Sequence, residues 1–333
     1  MKYISLFTGI GGFEVAIHIV FPEAECLAYS EVKSTAIKVY EEHYPNHFNL
    51  GDISKITDEE IKELVKDGCD LVVGGFPCTN LTSMATISGD RSGLEGSKSG
   101  LLYEMLRFLR IIKPKYFIAE NNYSMRKSDR KLITDLFEEI FPEVYLTMLD
   151  TADFGVQTRK RLFWTNFPIK DYPKKCTQIW SDILEPIDEC IKYVVGDNWI
   201  NGLNKPFNIK TAKSGKIAYR VSNTTWDFKE ESNHNSKWDT GMISDNMEQQ
   251  EYKPYPIGKS RPILGRTGGS NNLIIDRRVG KGFLIRQLTP IECERLFHLP
   301  VGYTKSAIYK TARLDLLGNS VSNKVVEYIL ENL

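Results

Sequence analysis

The chain opens on a short apolar run, Lys2-Tyr3-Ile4-Ser5-Leu6-Phe7, that ends abruptly in Thr8-Gly9-Ile10-Gly11-Gly12. A run of that length closed by glycines predicts a strand and a tight loop. Phe13 to Val20 then predicts a helix. The pattern repeats: strand at Glu25–Tyr29, helix at 32–43, short strand at Phe48-Asn49-Leu50, polar helix at 58–66. Cys69-Asp70-Leu71-Val72-Val73 predicts a fourth strand, stopped by Gly74-Gly75-Phe76-Pro77. Helices follow at 101–112 and 127–140, with a fifth strand at 116–119 between them. Residues 144–149 and 161–166 predict a closing antiparallel pair. Strand and helix in alternation argue for a parallel sheet flanked by helices, a doubly wound, Rossmann-like α/β domain.

The period fails in two places. Residues 79–100 carry Ser, Gly, Thr, Lys and Arg without rhythm, and a loop of that length is expected to be functional or disordered. After Pro173 the chain turns irregular, and residues 196–280 are rich in Asn, Gly, Ser, Lys and Trp. This predicts a second, smaller, mainly β domain. The expected division is 1–173 plus 305–333 for the first domain and 174–304 for the second. Order returns at Leu288–Leu299, a helix opening on Thr289-Pro290 with Glu292 at the capping-box position. A last helix is expected after Gly318-Asn319-Ser320.

Composition changes this picture little. The 333 residues are 41% hydrophobic and 26% charged, as in ordinary globular proteins. Lys+Arg and Asp+Glu are both 43, so a nucleic-acid partner would have to be met by local basic patches. Cys26, Cys69, Cys78, Cys176, Cys190 and Cys293 have neither zinc spacing nor the look of a disulfide scaffold, so reduced thiols and no metal are expected. The chain enters a strand at once, so no signal peptide is expected, and the most apolar helix is interrupted by Glu104, Arg107 and Arg110.

Candidate chemistry gathers at the strand ends. In a doubly wound sheet, ligands bind outside the carboxyl ends of the strands, where Cys78 follows the fourth strand. Pro77 fixes its own φ and holds Phe76 extended, which presents the thiol on a rigid turn and suits a nucleophile. A solitary cysteine is more often a small buried hydrophobe; here other motifs converge on the same face. The glycine loop Phe7-x-Gly9-x-Gly11-Gly12 lets backbone approach a ligand, and no lysine follows to make it a phosphate cradle. Glu31, at the end of the second strand, stands where a carboxylate grips ribose hydroxyls. Asp52 and Ile53 would offer an acceptor for an adenine amino group and an apolar cover for its ring. A ligand with ribose but no phosphate fits, and S-adenosylmethionine is the common one. Glu120-Asn121, ending the fifth strand, would set a carboxyl group beside Cys78. Gln157-Thr158-Arg159-Lys160-Arg161 is a basic turn whose arginines could reach a substrate or a phosphate.

Taken in order, Phe7-x-Gly9-x-Gly11-Gly12, Glu31, Gly51-Asp52-Ile53, Gly75-Phe76-Pro77-Cys78, Glu120-Asn121, Gln157-x-Arg159-x-Arg161, Arg286-x-Leu288-Thr289-Pro290-x-Glu292-Cys293 and Gly318-Asn319-Ser320-Val321 resemble the bacterial and phage-type DNA (cytosine-5)-methyltransferases. The resemblance covers nearly the whole chain outside residues 175–280, which correspond to that family's target recognition domain. It implies S-adenosylmethionine as cofactor and double-stranded DNA as partner. Catalytic roles fall to Cys78 as the thiolate that adds to cytosine C6, Glu120 at the N3 edge and Arg159 at O2. Phe7, Gly9, Gly11, Gly12, Phe13, Glu31, Val32, Asp52, Ile53, Phe76, Leu102, Asn319, Ser320 and Val321 would hold the cofactor. DNA would be met by Arg91, Lys98, Arg161, Gly268 and Gly269, with Arg161 also pairing with Glu120. The target base must leave the stack, and the loop 79–100 would close behind it.

Four positions depart from the family's habit. Asn122 stands where Val is common, Val156 precedes Gln157 where Pro is usual, and Lys98 stands for an Arg. The nearest match to the recognition domain's Thr-Leu pair is Ile263-Leu264. A cytoplasmic monomer, in a restriction-modification or phage-protection setting and without membrane contact, is the expectation. The alternatives are a tRNA cytosine-5 methyltransferase and a catalytically silent DNA-binding homologue.

Overall fold

The computed structural model describes residues 1–77, 100–170, 182–193 and 284–333, together with the backbone of short strand segments at 210–211, 217–218, 225–227 and 273–276. Cys78, Arg91, Lys98, Gly268, Gly269 and the loop 79–99 lie outside the described residues.

Six strands form the main sheet: β1 (Lys2–Leu6), β2 (Glu25–Ser30), β3 (Leu71–Gly75), β4 (Tyr116–Asn122), β5 (Tyr145–Asp150) and β6 (Lys160–Thr165), in the order β2-β1-β3-β4-β6-β5. The first four run parallel, and β6 pairs antiparallel with both β4 and β5. The strand order reverses direction between β1 and β3, which places the switch-point crevice over the glycine loop and the Gly75-Phe76-Pro77 turn. The expected strand at 48–50 is only a bridge: Tyr29 pairs with Asn49 through Tyr29 N to Phe48 O and Leu50 N to Tyr29 O. Gly51, at φ +66, turns the chain away immediately afterwards.

Burial explains why the strands read as unbroken apolar runs. Ile4, Leu6, Val72, Phe117 and Ala119 face one core. It is closed by Leu102, Met105, Leu106 and Leu109 of α4 (Gly100–Ile112) and Ile133 and Phe137 of α5 (Lys127–Glu138). Tyr3, Leu71, Val73 and Ile118 face the other side, against Phe13, Ala16 and Ile17 of α1 (Gly12–Val20) and Val325, Val326 and Ile329 of the last helix (Asn323–Leu330). Successive side chains alternate faces, and both faces are covered.

A third cluster joins Ile10, Val15, Ala36 and Val39 to Leu288, Leu296, Phe297, Leu299 and Tyr303. The helix Pro290–Leu296, with both halves of its Thr289/Glu292 capping box formed, therefore packs against α1 and α2 (Ser34–His43). The sequence had grouped this stretch with the second domain. An unexpected helix, Lys310–Gly318, precedes the last one. Between 194 and 287 the described backbone is strand only: 210–211 pairs antiparallel with 217–218, and 273–276 lies between 225–227 and 284–287. Among the described residues no helix is long and apolar enough to cross a membrane.

Candidate active site

The glycine loop is held from both sides. Phe7, Gly9 and Gly11 all have positive φ (54°, 61° and 86°), a conformation that glycine adopts at little cost. A Cβ on Gly12 would sit 2.7 Å from Ser320 Oγ and 2.9 Å from Val321 Cγ2, so that glycine permits the last helix's entry turn to abut α1. A Cβ on Gly9 or on Gly51, by contrast, would meet nothing within 4 Å among the described residues, which leave open space over both turns.

Glu31 stands at the edge of that space. One oxygen accepts from Gly9 N at 2.8 Å, the other from Val32 N and Lys33 N at 2.8 Å each. The oxygen that accepts from Gly9 N keeps a lone pair for a ligand hydroxyl, while the other has both of its lone pairs taken. Val32, beside it, is 68% exposed. Asp52 is turned partly on itself, accepting from Ser54 N and Oγ, and these bonds hold its carboxyl below the usual range. Phe13, Ile53, Phe76 and Leu102 are buried, as are Ser320 and Val321, while Asn319 is exposed.

The second group of side chains lies at the ends of β3 and β4, which are neighbours as the sequence implies. Gly75 pairs with Glu120, and a Cβ there would lie 3.0 Å from Glu120 Oε2. A glycine at 75 is what makes room for the carboxylate. Asn121 Nδ2 donates to Phe76 O at 3.1 Å and pins the turn that leads through Pro77 to Cys78. Asn122, the unusual residue after Glu-Asn, accepts from Ser124 N at 3.0 Å and caps the turn that follows β4.

Glu120 forms an ion pair with Arg161, Nε to Oε1 at 2.8 Å, with both side chains about 15% exposed or less. Burial raises the Glu120 carboxyl above its ordinary value, against the lowering pull of Arg161 and Arg159. Both arginines of the basic turn therefore bear on this carboxylate, but they are held differently. Arg159 is 2% exposed, and its Nη2 donates to Gly318 O at 2.7 Å and Ser320 O at 2.9 Å. Its guanidinium carbon lies 4.9 Å from the Phe297 ring centre. The sequence did not signal that link, because its partners lie some 160 residues downstream.

A buried carboxyl group, a flanking cation, a pinned turn opening on a cysteine and a cradle over a glycine loop thus share one edge of the sheet. The family model described as C-5 cytosine-specific DNA methylase matches residues 1–333. The chain belongs to that family. The type II methyltransferase M.NlaIV of Neisseria lactamica is 32% identical over 181 residues, which are 50% of this chain and 41% of that protein. This match thus spans less than half of the relative's length. M.HpaII of Haemophilus parainfluenzae, also a type II methyltransferase, is 27% identical across 98% of this chain and 87% of its own. Among solved structures, the Entamoeba histolytica methyltransferase EhMeth superposes with a TM-score of 0.68 at 15% identity, covering 100% of this chain and 97% of its own. The family membership accounts for the mixed sheet and for the order of the motifs along it.

Proposed function

We propose that the chain is a DNA (cytosine-5)-methyltransferase of the type II modification kind, a monomer of the cytoplasm that methylates a cytosine turned out of a short duplex site. The buried Glu120–Arg161 pair, set against the turn that leads into Cys78, is the observation that carries this reading. The comparisons support it through relatives named as type II methyltransferases.

The cofactor cradle fits S-adenosylmethionine. Open space lies over Gly9 and Gly51, Glu31 faces it for ribose hydroxyls, and no lysine follows the loop for a phosphate. Val32 and Ile53 would flank the adenine, with Asp52 at its amino group. Phe7, Gly11, Gly12, Phe13, Phe76, Leu102, Asn319, Ser320 and Val321 would complete the walls. When bound, this cofactor supplies a sulfonium methyl, an electrophile that an enamine carbon can attack.

Cytosine C5 is a poor nucleophile until the ring loses its aromaticity. The Cys78 thiolate would add to C6 and make C4–C5 an enamine. Glu120, whose carboxyl burial raises, would hold N3 and help protonate it, making C6 attackable. Arg159 would contact O2 and help stabilise the adduct, while Arg161 pairs with Glu120. Once C5 carries its methyl, loss of the C5 proton and departure of Cys78 restore the ring. Arg91 and Lys98 would meet phosphates. Target recognition would belong to the segment 174–304; Gly268 and Gly269 lie within it.

Cys78→Ala should abolish incorporation of labelled methyl groups into unmethylated genomic DNA while calorimetry still shows S-adenosylhomocysteine binding. A variant that methylates at a comparable rate would remove Cys78 from the role of nucleophile.

A further inference from the structure

Arg159 is placed to act on the cofactor as well as on the base. Gly318 is the last residue of the helix Lys310–Gly318, where terminal carbonyls lack partners within the helix and the helix dipole favours a cation. A single nitrogen of Arg159 donates to that carbonyl and to Ser320 O. The turn so held is the one whose Ser320 and Val321 side chains press on Gly12, at the head of α1. The guanidinium rests on Phe297, and its own backbone N donates to Asp150 Oδ1 at 2.8 Å, so the donor is fixed at both ends. Only one residue lies between Arg159 and Arg161, which holds Glu120.

We propose that Arg159 is a positioning residue for the cofactor: it clamps the Gly318–Ser320 turn against the glycine loop and so sets the cradle from the strand end that carries the substrate carboxylate. This rests on the methyltransferase reading. A residue that only met the cytosine would leave cofactor binding in the absence of DNA untouched.

The test is calorimetric titration of the DNA-free enzyme with S-adenosylhomocysteine. Arg159→Met loses charge-assisted hydrogen bonds and should bind about tenfold more weakly. The KM for S-adenosylmethionine should rise by a similar factor. Arg159→Lys keeps the charge but not the fork, and should fall between wild type and Met; it carries the test if the Met variant does not fold. In the wild-type enzyme, hydrogen exchange at the Asn319–Val321 amides should slow when S-adenosylhomocysteine is added. Wild-type affinity in both variants, with only kcat reduced, would overturn the proposal, as would unchanged exchange. A wild-type protein that binds S-adenosylhomocysteine but methylates no DNA would count against the substrate reading and leave the clamp to stand or fall on the titration.

Discussion

At the residue scale, burial raises two carboxyl groups of this chain, to different ends. Glu120 is raised by burial while Arg161 and Arg159 pull it down. Glu120→Gln should lower kcat by about 10²–10⁴-fold. The fall in kcat/KM as pH rises through the raised Glu120 pKa should vanish from what remains. Glu14 sits under the glycine loop, fully buried, with Tyr40 Oη donating to it at 3.2 Å. Burial pushes it up to about 7 from 4.5, against hydrogen bonds from Ser5, Tyr40 and Thr8. Between those values the folded protein keeps a proton that the unfolded chain has released. The stability this supplies is complete below pH 4.5 and is lost as pH rises through about 7. The loss should approach 3 kcal/mol, roughly. Urea unfolding at pH 5 and pH 8 should show Glu14→Gln escaping it, and an equal loss in both proteins would contradict the assignment. Neither shift was legible in the sequence, since burial at 14 and 120 depends on which helices cover the sheet.

At the scale of elements, the strands and helices whose signals are local were legible, and those that depend on distant partners were not. The Thr289/Glu292 capping box needs only four consecutive residues, and it is there. The helix Lys310–Gly318 begins after Tyr309 with no side-chain cap, and its apolar positions are weakly periodic, so nothing local announced it. The alternation of Gln157, Arg159 and Arg161 said that they share a side. It could not say that Arg159 would reach the carbonyls of Gly318 and Ser320. Glu292 goes further than its cap. It takes both ends of the fully buried Arg286 at 2.8 Å and accepts from Glu185 N at 3.0 Å, tying the stretch before the second segment to the one after it. Glu292→Ala leaves that arginine buried and uncompensated, and should cost about 3–5 kcal/mol in urea unfolding. A loss under ~1 kcal/mol would mean that water reaches Arg286 easily.

At the scale of the whole molecule, a chain of zero formal charge is proposed to hold a polyanion. Its binding must then come from local basic groups and from the recognition segment, and methylation should be confined to sites that segment can read. The order of motifs along the chain made the family legible. The target sequence was not, because on the proposed function base contacts would be made by individual side chains of a segment with little regular pattern. The most direct measurement is incubation of the protein with unmethylated genomic DNA and S-adenosylmethionine, followed by base-resolution mapping of 5-methylcytosine. The account predicts methylation at one short motif and nowhere else. An unmethylated genome, in the presence of calorimetrically demonstrated cofactor binding, would contradict it and turn attention to structured RNA.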